Sequence, residues 1–210
     1  MEFQEVLEKR RTIRDFTGEI VSDDVLTRVL NAAFYAPTND HMRQFEFVVV
    51  KGSEKIANLV ADFDRNYNLV LDGIHAEAAK GNIDKDKYDM FLHAVPRQKR
   101  MLIESGCIVL PYFRQQGCPL LEPGKLHGLN FFASAWAALE NIFLAATNEG
   151  LATCIHIPMG DEVERLDAAV GKPEGYELTC VLAIGYAKPD AHICNQKEID
   201  IRDRIHTDKW

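Results

Sequence analysis

Residues 126–148 read as one long helix whose apolar side chains cover nearly its whole circumference. At 1.5 Å per residue this helix would be about 35 Å long. A surface helix shows a single apolar stripe, so a helix that is apolar all round lies inside a core or an oligomer. A chain of 210 residues has little material with which to surround it. The sequence therefore predicts a dimer interface at this helix, and a core helix within one chain is the alternative.

The remaining patterns predict strands and helices in mixed order, without a strict βαβ alternation, which favours an α+β layer fold. Residues 1–210 read as a single domain, since no repeat or linker divides them. Helices are predicted over 23–34, 53–63, 68–80, 86–104 and 161–170. Strands are predicted over 45–50, 151–157 and 178–186, and a further strand is predicted to start at 107–110. Residues 190–210 are predicted to form an extended arm.

Composition excludes several classes of protein. The net charge of −8 argues against nonspecific binding to nucleic acid or to an anionic membrane. Polar residues such as Asn130 and Glu140 interrupt the long apolar helix, which predicts that it does not span a membrane. Five widely spaced cysteines without a CxxC pair, and an N-terminus without a signal-peptide pattern, predict a cytoplasmic protein.

The spacings of the histidines and cysteines predict no metal site. Cys154 is the best candidate for a nucleophilic thiol, and the alternative, which is the commoner case, is a buried and inert thiol.

Three arginines lie within five residues near the start of this acidic chain: Arg10, Arg11 and Arg14. If the segment is helical or tightly turned, Arg10 and Arg14 share a face, with the hydroxyl of Thr12 between them. Such a set of donors suits a phosphate monoester, which carries a charge of about −1.5 to −2 near neutral pH. The alternative is a solvated basic patch that closes a helix.

Two further segments could face a ligand. Residues 36–47 form a loop rich in hydrogen-bond donors between a helix and a strand, and they could bind the polar edge of a heterocycle. An ordinary Asn/Asp turn is the alternative for this loop. Residues 157–160 follow a strand and could turn their backbone N–H groups toward a ligand, with Gly160 permitting close approach.

Taken in order, these segments resemble the FMN-dependent nitroreductase family. Residues 10–16 match the family's R-R-S-x-R-x-[FY] pattern with Thr in place of Ser, and residues 36–47 match its A-P-S-x-x-N-x-Q-P-W-x-F loop. In that loop His41 replaces the usual Asn, Arg43 the usual Gln, and Gln44-Phe45 the usual Pro-Trp. The family's G-L-G-T-C, P-E-G-Y and A-x-G-Y elements correspond to residues 150–154, 173–176 and 183–186.

The resemblance implies a nitroreductase-like α+β fold with a central mixed, mostly antiparallel sheet flanked by helices. It also implies a homodimer with a long central helix and FMN at the interface, and an extended C-terminal arm. By the family pattern, one subunit would hold the phosphate and the pyrimidine edge, and the other would contact the flavin. The cofactor-binding residues so implied are Arg10, Arg11, Thr12, Arg14, Met159, Gly160 and Lys197, with Pro37, Thr38 and Asn39 from the second subunit.

The implied activity is that of an NAD(P)H oxidoreductase. NADH or NADPH would reduce FMN by hydride transfer and then leave. A small electron-poor acceptor such as a nitroaromatic or a quinone would bind in the same position and be reduced by the flavin. The cofactor supplies the difficult chemistry, so no catalytic acid or base is assigned. His41 and Arg43 are the candidates for contact with the substrate. A reductive dehalogenase on the same scaffold, and a flavin-binding sensor or storage protein without turnover, are the alternatives.

Overall fold

A five-stranded sheet separates two layers of helices. The computed structural model describes residues 1–114, 129–196 and 198–210. Its strands run in the order β1-β2-β5-β3, with β4 beside β2, and every pair of these strands is antiparallel. The sheet is therefore of the predicted mostly antiparallel kind. The strands are β1 (Phe45–Lys51), β2 (Cys107–Arg114), β3 (Ala152–His156), β4 (Tyr176–Leu178) and β5 (Val181–Gly185).

The predicted strand over 178–186 is wrong in one respect, because a bulge divides it into β4 and β5. Tyr112 pairs with Leu178 but Val109 pairs with Leu182, so the register against β2 shifts by one residue between the two. Pro111 lies opposite the shift and has no N–H to donate. Its carbonyl accepts the N–H of Thr179 at 2.9 Å, which holds the extra residue in place.

Local signals set most helix boundaries. The Ser22 hydroxyl accepts the N–H of Val25 at 3.4 Å at the start of α2, and the Asp84 carboxylate accepts that of Lys87 at 2.8 Å at the start of α5. The predicted helix over 86–104 is interrupted by a 3₁₀ turn, Val95–Arg97, since Pro96 cannot donate to the preceding turn. The helices are α1 (Phe3–Lys9), α2 (Asp23–Asn31), α3 (Ser53–Leu59), α4 (Tyr67–Ala79), α5 (Lys85–Ala94), α6 (Gln98–Glu104), α7 (Asn130–Asn148) and α8 (Glu162–Val170).

Each face of the sheet builds its own core, because side chains alternate along the strands. On β2, Cys107, Val109 and Phe113 face the layer that contains α2 and α7. Ile108 and Leu110 face the layer that contains α3, α6 and α8. Both layers are thus joined through one buried strand.

Helix α7 buries a single stripe against its own chain. The stripe consists of Ala135, Ala138, Leu139, Ile142 and Ala146. Other apolar residues of the helix, such as Trp136 and Phe143, are only half-buried, and Ala133 is exposed. Among the described residues α7 is therefore fully covered by its own chain along one stripe only, and the dimer interface stays a prediction. Residues 126–128 of the predicted helix lie outside the described part.

The last residues form the predicted arm. In the described parts of 189–210 no α-helix or strand occurs, and the only regular element is a short 3₁₀ turn, Ile201–Arg204. Several large apolar side chains of the arm are exposed: Ile193, Ile199, Ile201, Ile205 and Trp210. An arm of this kind has apolar surface available for another protein surface.

Of the ten glycines in the described ranges, Gly185 lies closest to its neighbours. A Cβ there would clash with the carbonyl oxygen of Ser105 and lie 3.2 Å from Cδ1 of Phe16. We expect Gly185→Ala to lower the free energy of unfolding by about 2–3 kcal/mol, because both neighbours are buried and cannot move freely. Gly73→Ala in α4 is the matched control, since nothing lies within 4 Å of its Cβ position. Urea denaturation should show the control at least as stable as the parent, and equal stability of both variants would contradict the packing.

Candidate functional site

The arginine segment is extended rather than helical. Helix α1 ends at Lys9, and Thr12 forms a parallel bridge with Thr153 at the start of β3. The N–H of Ile13 donates to the carbonyl of Thr153 at 3.1 Å. The prediction that a helix places Arg10 and Arg14 on one face is therefore wrong.

The three arginines differ in how their side chains are used. Arg10 Nε lies 3.8 Å from Oε1 of Glu140 on α7, and Arg11 donates to the carbonyl of Cys194 in the arm. The Nε of Arg14 is buried and finds no hydrogen-bond partner in the described part of the chain. A buried donor without an acceptor costs about 1–3 kcal/mol, so Arg14 is the arginine most in need of a ligand.

Near Arg14, two further buried nitrogens lack hydrogen-bond partners within residues 1–114, 129–196 and 198–210. These are Nε of Arg97, in the 3₁₀ turn before α6, and Nδ1 of His93, near the end of α5. Arg97 also donates from Nη1 to the carbonyl of His93 at 2.8 Å. The pKa of His93 is lowered, first by burial and then by neighbouring charges that include Arg97 and Arg14. Together these groups can bind an anionic or acceptor-rich ligand.

His93 and Arg97 were not identified from the sequence. The available signal was their spacing of four residues inside a predicted helix, which would place them on one face. Nothing in the sequence indicated that this face would lie beside Arg14, which is far away along the chain. Only the packing of α5 and α6 against the N-terminal segment brings the groups together.

His93, His192 and Cys194 also form a compact group. The two imidazole rings are 4.0 Å apart at their centroids, and Cys194 Sγ lies 3.9 Å from Nδ1 of His192. Their possible ligand atoms lie within 4.8 Å of one another. The positive charge of Arg97 beside this group opposes a metal cation. The absence of a metal site therefore stays a prediction, and we interpret the group as part of an anion site.

A cavity of about 570 Å³ opens over this group, between α5 and the start of the arm. Its volume lies in the range of small-molecule sites. The cavity is lined by Asp84, Asp86, Lys87, Asp89, Met90, His93 and residues 192–196. Lys197, the predicted arm contact for the phosphate, lies outside the described residues.

The donor-rich loop lies on the first turns of α7. The N–H of Asn39 donates to Oγ of Ser134 at 2.9 Å, and Oγ1 of Thr38 accepts the N–H of Arg43 at 3.3 Å. His41 and Arg43 are exposed and have φ angles of 56° and 47°. Such left-handed backbone is costly for these residue types and is common where a loop contacts a ligand.

The structure does not bring the loop together with the arginines in one chain. No hydrogen bond or ion pair among the described residues joins Pro37, Thr38 or Asn39 to residues 10–14. Ser134, which holds the loop, and Glu140, which pairs with Arg10, are six residues apart on α7. That spacing is about 9 Å along the axis and about 120° around it. The two groups therefore lie on different faces of α7.

Met159 and Gly160 lie in the turn between β3 and α8. Gly160 has a φ of 57°, the left-handed region that glycine adopts without strain. The side chain of Met159 is exposed, and its N–H donates to Oε2 of Glu162 at 2.8 Å. This turn is at the opposite end of β3 from Thr153, where the arginine segment is attached.

The buried cysteines are not nucleophiles. Burial raises the pKa of Cys107 and Cys154 to about 11 and that of Cys180 to about 12. Thiolate is the reactive form, and at pH 7.5 it would be about 10⁻³ or less of each thiol. In the native protein we expect iodoacetamide to modify half-buried Cys194 while these three stay unmodified, as read by mass spectrometry after digestion. Labelling of Cys154 as fast as Cys194 would restore it as a candidate.

Comparison with known proteins adds three findings. The model of the nitroreductase family matches residues 7–186. A protein from Archaeoglobus fulgidus with the provisional name NADH dehydrogenase/NAD(P)H nitroreductase is 24% identical over 206 residues, covering 96% of this chain and 94% of its own. Iodotyrosine deiodinase 1 from Mus musculus is 26% identical over 199 residues, covering 93% of this chain but 66% of its own length.

A solved structure shares the fold. It is that of an FMN- and NADPH-dependent nitroreductase from Sphigopyxis sp. strain HMH, with a TM-score of 0.70, 18% identity and coverage of 100% of both chains. Among the described helices, none is long and apolar enough to cross a membrane.

Proposed function

Since this chain belongs to the nitroreductase family, and so to the oxidoreductases, we propose that it is an FMN-dependent enzyme that oxidises NADH or NADPH. Its acceptors would be small electron-poor molecules such as nitroaromatics or quinones, and it would work in the cytoplasm. One observation carries the proposal above all others. Among the described residues, the buried Nε atoms of Arg14 and Arg97 have no hydrogen-bond partner, in a cluster that suits an anionic, acceptor-rich ligand.

The residues present fit FMN by their chemistry. The phosphate of FMN needs several charge-assisted donors, and Arg10 and Arg11 supply guanidinium groups beside the hydroxyl of Thr12. The pyrimidine edge of the flavin presents oxygen and nitrogen acceptors, which suit the unpartnered Nε atoms of Arg14 and Arg97. In a protein with a net charge of −8, such a local positive cluster favours a small anion over a polyanion.

When bound, FMN supplies the electron transfer, and the chain supplies binding and orientation. Arg14 and Arg97 would place positive charge beside the ring and so favour its more negative, reduced form. The backbone of Met159 and Gly160 would lie against the ring. His41 and Arg43 stand exposed on the donor-rich loop, where an acceptor could reach them.

A second subunit completes the proposed site. The arginine segment and the loop of Pro37, Thr38 and Asn39 face different sides of α7, so a homodimer packed along α7 could bring one chain's arginines to its partner's loop. The half-buried face of α7 supports this arrangement, and so do exposed apolar side chains on the neighbouring elements, Phe3, Leu7 and Tyr35. Lys197 in the arm stays a proposed phosphate contact.

The test is turnover by the FMN-loaded protein. We expect menadione or nitrofurazone to be reduced with oxidation of NADH or NADPH, followed at 340 nm. Stoichiometric FMN binding without turnover with either donor would instead favour the sensor or storage alternative. Failure to bind FMN at all would contradict the proposal.

One observation favours a second candidate, reductive dehalogenation. The similarity to iodotyrosine deiodinase 1 extends over 93% of this chain, although that relative is longer. Release of iodide from iodotyrosine by the reduced, FMN-loaded protein, at a rate above that of nitrofurazone reduction, would make dehalogenation the better account of the activity.

A further inference from the structure

A buried imidazole and carboxylate meet where β3 ends. His156 and Glu162 are each only 3% exposed, and Nε2 of His156 lies 2.8 Å from Oε2 of Glu162. Burying two polar groups costs free energy, and well-packed apolar side chains of similar volume often stabilise a core as well or better. The presence of the pair is thus weak evidence that it stabilises the fold. Its hydrogen bonds show which segments of the chain it holds in place.

Glu162 holds the turn that precedes α8. The same Oε2 atom that faces His156 also accepts the N–H of Met159 at 2.8 Å. The N–H of Glu162 in turn donates to the carbonyl of Met159 at 3.1 Å. Both backbone groups of Met159 are therefore bound by one residue, which fixes the turn over residues 157–160.

His156 connects this turn to the site on the other side. Its Nδ1 lies 3.3 Å from Oε1 of Gln98, the first residue of α6, which directly follows Arg97. The ring of Phe63, itself buried, lies against the imidazole with centroids 4.9 Å apart. His156 therefore contacts the side chain of Gln98, the residue that follows Arg97. Through Glu162 it is also linked to the backbone N–H of Met159.

The pair acts on one end of the proposed site. The arginine segment is attached to β3 at Thr153. His156 lies three residues further along β3, and this spacing is about 10 Å in a strand. Arg10 and Arg11 are thus remote from the pair. The side chain of Gln98, which follows Arg97, and the N–H of Met159 in the 157–160 turn are hydrogen-bonded to it.

We propose that His156 and Glu162 are positioning residues that hold the 157–160 turn and Arg97 in the arrangement that binds the ring of the flavin. This inference rests on the proposed function. It assigns no chemical step to either residue, because both are buried and act through the backbone of Met159 and through Gln98.

Flavin affinity with and without the phosphate tests the proposal. Fluorescence quenching gives the dissociation constants of FMN and riboflavin, and their ratio measures the contribution of the phosphate end. For Glu162→Ala we expect both flavins to bind about tenfold more weakly with an unchanged ratio, because the orienting hydrogen bonds of the ring end are lost. Glu162→Gln keeps an acceptor oxygen of the same reach and should bind both flavins within about threefold of the parent. Glu164→Ala, an exposed carboxylate of the same helix, is the matched control.

Several results would overturn the proposal. One is a folded Glu162→Ala variant with parental affinity for both flavins, and another is a loss confined to FMN, which would place the effect at the phosphate. Equal weakening by Glu162→Gln and Glu162→Ala would show that the acceptor oxygen does not matter. If Glu162→Ala does not fold, Gln98→Ala decides, with at least about threefold weaker binding of both flavins expected and no change contradicting the proposal. A parent protein that binds no FMN would sink the proposed function itself, whereas parental binding unaffected by these variants sinks only this inference.

Discussion

Arg14→Ala is expected to weaken FMN binding by about ten- to a hundredfold while leaving the ligand-free protein at least as stable as the parent. The loss follows from one missing charge-assisted hydrogen bond, worth about 1.5–3 kcal/mol. The unaltered stability follows because no described residue accepts a hydrogen bond from the buried Nε of Arg14 before a ligand binds. Removing an unpartnered buried donor relieves a cost instead of breaking an interaction.

Two measurements check the expected loss of FMN affinity and the unaltered stability of Arg14→Ala. FMN affinity comes from fluorescence quenching, and stability comes from thermal unfolding of the FMN-free protein. Arg28→Ala is the matched control, because that arginine pairs with Glu149 on the surface and should bind FMN within about twofold of the parent. Unchanged affinity in Arg14→Ala would remove Arg14 from the site, and a large loss of stability would show that its side chain serves the fold.

The double substitution Leu7→Glu with Tyr35→Glu is expected to convert a dimer to monomers and to abolish detectable FMN binding. Leu7 is 42% and Tyr35 80% exposed in the single chain, so the fold itself should tolerate both changes. In a dimer packed along α7 and its neighbours these positions would be buried, where unpaired carboxylates are costly. Monomers would lack the partner subunit's loop and hence half of the proposed site.

Sedimentation velocity at micromolar concentration gives the oligomeric state, and circular dichroism confirms that the variant is folded. Ile20→Glu is the control, since this 58% exposed residue belongs neither to α1 nor to α7 nor to residues 32–35, and its charge should leave the dimer intact. A parent protein that sediments as a monomer of 23.8 kDa would contradict the dimer. Full FMN affinity in a monomeric variant would contradict the shared site.

Periodic and local signals predicted most of the fold. The cap at Ser22 acts within a few residues, and it placed the start of α2 correctly. The cap at Asp84 and the proline at 96 are equally local but were not used, so residues 86–104 were predicted as one helix. The bulge between β4 and β5 was missed because it depends on the partner strand, where Pro111 offers no donor opposite Thr179. The helical grouping of Arg10 and Arg14 failed for a similar reason, since the attachment to Thr153 keeps that segment extended.

The site was predictable only where a motif lies in one stretch of chain. The arginines of 10–14, the loop at 37–39 and the turn at 159–160 were proposed in this way, and their role in the site stays a prediction. His93 and Arg97 belong to no such stretch, and their unpartnered nitrogens are visible only after α5 and α6 have packed beside Arg14. Buried donors without acceptors are a property of the packed protein, and no residue pattern reports them.

A crystal structure of the protein treated with FMN would show whether two subunits share the flavin. We expect flavin density between two subunits, in contact with Arg14 and Arg97 of one subunit and with Asn39 of the partner subunit. Crystals of a protein that binds FMN, but with the flavin elsewhere and both guanidinium groups turned to solvent, would contradict this expectation.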